Sequence, residues 1–461
     1  MVADIEVAIQ QHEEALHLTP DDHPGRKDHL FNIGNDFAQK YQKTGFLEDL
    51  EMALQRTQEA LDVMSKDHAD RARRLEGHGS VYNLKYEKTK AMPDFEAAIR
   101  HYQDALHHRV SPLRHRILSG EKLVTLYADA HDWQSAYHTA DVTISLIPAL
   151  TSRSLQTSDK QDLIEENSHL ASDAFAVALK ADQSLHDAWR LLELGRGTIV
   201  GSLHEMRTDI SELYQQHPTI ATEFTELRDQ PGAPKESMQA IQRYEMAQRF
   251  DNVIEEIRRL PGFDRFLLAP TEDEIKAAAA DGPIVIVNAS SYGCDALIIK
   301  DTSIKAMPLS RARYDDVCIR AETLASPESL ELDPLEWFWE VVASPILEAL
   351  GMLETPVGNW PHIWWIPTGL FAKFPLHAAG RHDGFSDGVL DRVISSYSSS
   401  IKVLIQSRRN RSKPAVSPKS GSIVLLGMEE TPGQSRLQFV PEEIERLEGL
   451  HTSTLLRIIR P

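Results

Sequence analysis

Apolar positions in the first third of the chain recur at helical spacing, and the pattern repeats. Asp4-Ile5-Glu6-Val7-Ala8, Asp49-Leu50-Glu51-Met52-Ala53 and Asp94-Phe95-Glu96-Ala97-Ala98 follow one another at a step of 45 residues. Ala15-Leu16, Ala60-Leu61 and Ala105-Leu106 keep that step, as do Leu30 and Leu75, Gly34 and Gly79, and Tyr41 and Tyr86. A fourth copy, Gly120, Tyr127, Trp133, Ala136 and Thr143, is shifted by a shorter loop. Each unit reads as two amphipathic helices: Leu30, Ile33, Gly34 and Phe37 mark one stripe, and Ala53 and Ala60 put small side chains on the facing helix. One such hairpin cannot bury its own apolar stripe, but stacked neighbours can. The residues beyond a shorter repeat fall, on this reading, between the two helices, around Gln42–Asp49 and Glu87–Asp94.

Helical patterning continues from about Ser158 to Arg258. Gly195-Arg-Gly-Thr-Ile-Val-Gly201 has the look of a phosphate loop but the wrong spacing, and it follows helix rather than strand. A helix with small residues at a close crossing is expected there. At Gly282 the period changes. Pro283–Ala289 is a β-branched run of buried-strand type, and short strands expected at Ala296–Ile299 and Ile304–Leu309 make a meander with it. A helix over Pro334–Leu350 and strands at Ile363–Ile366 and Arg392–Tyr397 come next. A helix at Ile401–Arg408, a polar loop at Arg411–Ser422, a strand at Ile423–Gly427, a helix at Pro441–Leu450 and a strand at Thr454–Ile459 follow. Strands alternating with helices predict an α/β domain with a largely parallel sheet.

Composition narrows the functional classes. The chain has 461 residues, enough for about three compact units. Its net charge of −20 disfavours general nucleic-acid binding and attachment to an anionic membrane. Cys294 and Cys318 are the two cysteines, too few for a disulfide framework. No apolar run reaches the ~18 residues of a membrane-spanning helix, and Asp4 and Glu6 do not suit a secretory signal. A cytoplasmic protein is expected.

The repeats resemble the tetratricopeptide family. Leu30, Gly34, Phe37, Ala53 and Ala60 match one copy of its pattern, and Leu75, Gly79, Tyr82, Ala98, Tyr102 and Ala105 the next. Pro20 and Pro148 stand where a closing proline belongs, and the departure is a period of 45 against about 34. The resemblance implies an all-α solenoid that binds a protein or peptide on the concave face lined by the first helix of each pair. Positions one and four past the glycine are the candidate contacts: Asn35 and Ala38, then Ser80 and Asn83, with Arg73 near the start of its helix.

The last part resembles the CHAT family of caspase-like, separase-related cysteine peptidases, in the form found behind tetratricopeptide repeats in fungi. Trp360-Pro-His-Ile-Trp-Trp-Ile-Pro-Thr-Gly369, Phe374-Pro-Leu-His-Ala-Ala-Gly380, Val393-Ile-Ser-Ser-Tyr-Ser-Ser-Ser400 and Gly427-Met-Glu-Glu-Thr-Pro-Gly433 carry the match, with Asp333–Trp339 and Leu191–Gly197. The resemblance implies a histidine that activates a cysteine thiolate. The family places that pair in His-Phe-Ala-x-His-Gly and Leu-Ser-Ala-Cys motifs, which do not occur in this sequence. The expected layout is therefore a helical-repeat solenoid over 1–155, a helical connector over 156–275, and over 276–461 an α/β caspase-like domain that is incomplete at its C-terminus. Cys318 follows Asp315 and Asp316, whose charges oppose a thiolate, and His362 and His377 read as packed structural residues. No catalytic residue, cofactor or metal ligand is assigned. His101, His107 and His108 lack partners at ligand spacing, and Asn288-Ala-Ser290 ends a buried strand, so its sequon is discounted. The expected function is protein binding through the repeats, and the alternative is a cysteine peptidase whose C-terminal part lies outside this sequence.

Overall fold

The computed structural model describes residues 2–151, 157–229, 249–250, 252–264, 266, 270–325, 333–382, 387–411, 422–424, 427, 429–430, 436–451 and 457–459. These fall into two compact units, Met1–Leu404 and Ile405–Pro461.

The first unit opens with helices packed in consecutive antiparallel pairs. After α1 (Val2–Leu18) come α2 (Arg26–Thr44) and α3 (Leu47–Asp62), α4 (Arg71–Thr89) and α5 (Met92–His107), and α6 (Leu113–Asp129) and α7 (Trp133–Thr151). Then follow α8 (Thr157–Lys180), α9 (Leu185–Gln216) and α10 (Pro218–Asp229). This is the arrangement of tetratricopeptide-like repeats. The long period lies elsewhere than the sequence suggested. Helices of 19 and 16 residues meet at Gly45-Phe46, so the hairpin turn is tight. The added residues lengthen the helices and the Val63–Asp70 connection. Gly45 makes the tight turn possible, with φ +74 and its N–H donating to Tyr41 O at 2.7 Å.

Three contacts repeat with the period. The glycine of each first helix lies against the second: a Cβ on Gly34 would stand 2.5 Å from Thr57, on Gly79 3.1 Å from Tyr102, and on Gly120 2.1 Å from Thr143. An arginine opening each first helix caps the carbonyls left open at the end of the helix before it. Arg26 donates to Thr19 O at 2.9 Å, Arg71 to Met64 O at 3.3 Å and Arg116 to Leu106 O at 2.8 Å. Thr44 and Thr89 span the hairpin turns: their hydroxyls lie 3.0 and 3.3 Å from the Asp49 and Asp94 carboxylates of the following helices, and they accept from the Phe46 and Ala91 N–H at 3.4 and 3.2 Å. The first helices of successive pairs also touch one another, α2 with α4 and α4 with α6. That close approach puts them on the inner face of the stack.

The helical stretch Gly195–Gly201 lies inside α9, and a Cβ on Gly195 would stand 2.6 Å from the Ala171 Cβ of α8. A smaller apolar cluster, with Phe224 stacked on Phe250 and edge-on to Phe266, joins α10 to residues 252–258.

After α11 (Glu272–Ala278) the chain forms a sheet of β1 (Ile284–Ser290), β2 (Gly293–Ile299), β3 (Ile304–Pro308), β4 (His362–Thr368) and β7 (Ile394–Tyr397), in the order β3-β2-β1-β4-β7. The sheet is mixed and not largely parallel: β1–β2 and β2–β3 are antiparallel, while β1–β4 and β4–β7 are parallel. Short connections at Ser291-Tyr292 and Lys300–Ser303 force the antiparallel half, because a parallel crossover needs a dozen or more residues. The two-residue strands β5 (Gly380–Arg381) and β6 (Asp387–Gly388) pair on their own.

Every residue of β1 is buried, so both faces of the sheet are covered at its centre. Val285, Val287 and Ala289 face a core with Val317 from α12 (Tyr314–Ala325), Phe338 from α13 (Asp333–Phe338), Val342 from the turn that follows it and Ile346 from α14 (Ser344–Leu350). The expected single helix over 334–350 is divided by a π turn at Trp339–Ala343. Pro345 has no N–H to continue the ladder, and the wider turn before it absorbs the missing bond. The opposite face of the sheet meets α8. The helix α15 (Ile401–Arg411) follows β7, and the Ile401 N–H donates to Glu193 Oε1 of α9 at 3.2 Å.

In the second unit, β8 (Ser422–Val424) pairs in parallel with β9 (Arg457–Ile459), and α16 (Val440–His451) lies between them in sequence. The expected loop at 412–421, and residues 425–426 and 454–456 of the two expected strands, lie outside the described residues. No described helix is long and apolar enough to cross a membrane.

Candidate functional site

The inner face of α2, α4 and α6 carries two adjoining cavities of about 320 Å³ each. The first lies between α2 and α4, with Asn35, Gln39, Gln42, Arg73 and Ser80 on its walls and Phe31 and Val81 beneath. The second lies between α4 and α6, with Asn83, Glu87, Lys122, Thr125 and Asp129 around Tyr102 and Leu126. Gln42, Ser80 and Leu84 line both, so the two form one continuous groove.

The structure thus gathers Asn35, Ala38, Arg73, Ser80 and Asn83 along one groove. Their surroundings differ. The Ser80 hydroxyl donates to Glu76 O at 3.0 Å and accepts from Tyr102 Oη at 3.0 Å and Lys122 Nζ at 2.9 Å. That oxygen is fully engaged inside the protein and ties three helices together. Lys122 is ion-paired with Glu76, whose side chain is 13% exposed. Burial raises the Tyr102 phenol well above its ordinary pKa, the Ser80 bond opposing this, so it stays a neutral donor. Asn83 donates from Nδ2 to Glu87 Oε1 at 2.9 Å. The side chains of Asn35 and Arg73 make no hydrogen bond or ion pair among the described residues, and Arg73 is exposed.

Sequence reasoning missed Glu76, Gln39, Gln42 and Lys122. The first three were within reach: Glu76 lies one turn before Gly79, and Gln42 lies two turns past Asn35 on the same helical stripe. Lys122 had no such signal, because its place follows from its pairing with Glu76.

The far end of the groove meets the α/β part. Tyr292, in the turn between β1 and β2, shares a hydrogen bond of 3.1 Å with Thr125 and packs edge-on to Trp133. Burial pushes its phenol up to about 12, so the bond is one between neutral hydroxyls. Behind it a buried polar row joins β1 to α8. Asn288 donates to Ser172 O at 3.0 Å and accepts from Thr368 Oγ1 at 2.6 Å, and Ser290 donates to Asp173 Oδ1 at 2.6 Å. The Asn288 amide is consumed by these bonds and has no exposed surface. His169 of α8 contacts Glu121 Oε1 of α6 at 2.5 Å, and that carboxylate raises the imidazole pKa.

Of the cysteines and histidines considered for chemistry, Cys294 is buried, Cys318, His101, His108 and His362 are half-buried, and His107 and His377 are exposed, so His377 is not the packed residue expected. Cys294 is buried in β2, and loss of solvent pushes its thiol up to about 11. His362 bonds Ser396 at 2.8 Å, and His377 meets Tyr397 Oη at 2.9 Å through its backbone N–H and Nδ1. His101 packs on His78 and Tyr82, His107 contacts Gln103 O, and His108 contacts Lys66 O. Among the described residues no group of three His, Cys, Asp or Glu side chains could hold a metal ion.

Fold and groove define a helical-repeat protein that carries an α/β part. No family model matches the chain, and no curated protein is similar to it. Among solved structures, the crystal structure of MamA is similar at 14% identity and a TM-score of 0.28, over 44% of this chain and 92% of that one.

Proposed function

We propose that this chain is a protein-interaction protein of the TPR–CHAT type, which holds an extended segment of a partner protein in the groove of α2, α4 and α6. The observation that carries the reading is the amide lining: Asn35, Gln39, Gln42 and Asn83 stand along one path over an apolar floor. A carboxamide both donates and accepts. A row of them suits the alternating N–H and C=O groups of an extended main chain, while apolar pockets take side chains. Asn35, Arg73 and Asn83 make the contacts, and Ser80 holds the wall.

The CHAT-like reading of the α/β part rests on the sequence motifs from Trp360 to Ser400 and on their position behind a helical-repeat array. A regulatory or adaptor role fits that part better than peptidase chemistry. A thiolate needs a solvated or electropositive setting, whereas Cys294 is buried and Cys318 follows two aspartates.

The test uses the full chain against an array of random decapeptides. A subset is expected to bind, and Asn35→Ala with Asn83→Ala is expected to weaken it about tenfold, about 1.4 kcal/mol, with the melting curve unchanged. Binding that ignores both changes would place the peptide site elsewhere.

A further inference from the structure

We infer that the groove is bipolar and selects an extended peptide that carries one acidic and one basic side chain about six residues apart. This rests on the reading of the groove as a peptide site and adds what that peptide must contain.

The charges that line the groove sort themselves by position. At the opening end of α4, Arg73 is exposed on the wall of the first cavity and has no ion pair among the described residues. In the middle, Glu76 and Lys122 neutralise each other, and the remaining groups, Gln42 and Ser80, are uncharged. At the closing ends of α4 and α6 stand Glu87 and Asp129, both exposed and both lining the second cavity. Glu87 accepts from the neutral Asn83 amide, and the Asp129 side chain has no ion pair among the described residues. One end therefore offers a single cation and the other two carboxylates, with no net charge between.

Helix geometry converts this into a spacing. From position 73 to position 87, α4 rises about 21 Å at ~1.5 Å per residue. An extended chain covers ~3.3 Å per residue, so its side chains reach the two ends when they are about six residues apart. The acidic side chain meets Arg73 and the basic one meets Glu87 and Asp129. All three are solvent-exposed, so each contact alone is weak and screened by salt. The selectivity lies in satisfying both ends at once and in the repulsion met by a peptide of the wrong sign at either end.

The experiment uses the full chain and fluorescent decapeptides of neutral sequence. Each carries one Glu and one Lys at separations of two, four, six or eight, in both chain orders, with Glu/Glu and Lys/Lys controls. Anisotropy is read at low and at physiological salt. The separation of six, in one chain order, is expected to bind about tenfold more tightly than either control, with the margin shrinking as salt rises. Arg73→Glu combined with Glu87→Lys and Asp129→Lys is expected to shift the preference to the opposite order. Binding indifferent to separation, or a preference that survives the reversal, overturns the charge pattern. If the decapeptides bind alike and Asn35→Ala with Asn83→Ala still weakens them, the groove reading stands and only this inference falls. If none binds, both fall.

Discussion

His78 should make the repeat array lose stability in mild acid. The imidazole lies inside the stack, 1% exposed, with Nδ1 against Thr57 Oγ1 at 2.6 Å and the rings of Tyr82 and His101 around it. The Thr57 hydroxyl donates to Ala53 O at 2.7 Å, so its oxygen accepts from Nδ1–H, and Nε2 is left buried without a partner among the described residues. Burial first, and then the neighbouring His101, lowers the pKa from 6.5 to about 3. The unfolded chain takes up a proton near its ordinary value, whereas the folded chain resists until far lower pH. The unfolded state therefore binds more protons between about 6.5 and 3, and stability falls as pH falls through that window. At ~1.4 kcal/mol per pKa unit, the loss from pH 8 to pH 5 comes to about 2 kcal/mol from this group alone. The comparison is His78→Leu, which keeps a side chain of similar size and leaves Thr57 bonded to Ala53. Hydrogen exchange of the slowest amides in Leu75–Val81, corrected for the intrinsic rate, measures the opening free energy in both proteins. Relative to His78→Leu, the wild type is expected to lose about 2 kcal/mol between pH 8 and pH 5. Parallel loss in the two proteins would refute the reasoning.

Three further outcomes follow from packing and burial. Gly120→Ala would gain up to about 1 kcal/mol of helix propensity, but its Cβ would collide with Thr143 Oγ1. A net loss of about 1–3 kcal/mol in chemical denaturation is expected, largely recovered with Thr143→Ala added. Asn288→Ala should cost about 1–3 kcal/mol by leaving the Ser172 carbonyl without its donor, whereas Asn288→Asp, which keeps only the acceptor for Thr368, should cost at least as much. With its thiol near 11, Cys294 should stay unalkylated by iodoacetamide at pH 8 in the folded chain and react on unfolding; rapid modification of the native protein would contradict its placement.

The repeat was legible because it is written in residue types. Gly34 and Gly120 each face a second helix at a distance that leaves no room for a Cβ, Gly79 faces one at a tight 3.1 Å, and Ala53 and Ala98 lie fully buried on those helices. The same glycines located Asn35, Ser80 and Asn83 on the groove, because helical geometry places the residues beside a buried position. Legibility ended where partners come from distant sequence. Nothing local says that Ser80 bridges Glu76, Tyr102 and Lys122, or that Arg26, Arg71 and Arg116 cap the helices before them. Strand direction was legible in part. The first three strands read as a meander, and they pair antiparallel, whereas the sheet as a whole, expected to be largely parallel because its strands alternate with helices, is mixed, with only β1–β4 and β4–β7 parallel.

The central claim is that the inner face of α2, α4 and α6 holds a partner peptide. Hydrogen exchange of the full chain, with and without the tightest-binding decapeptide at saturation, tests it most directly. The account predicts slowed exchange in peptides covering residues 31–42, 73–87 and 122–129, with residues 284–299 and 362–397 unchanged. Protection confined to the sheet, with the three helices unaffected, would contradict it.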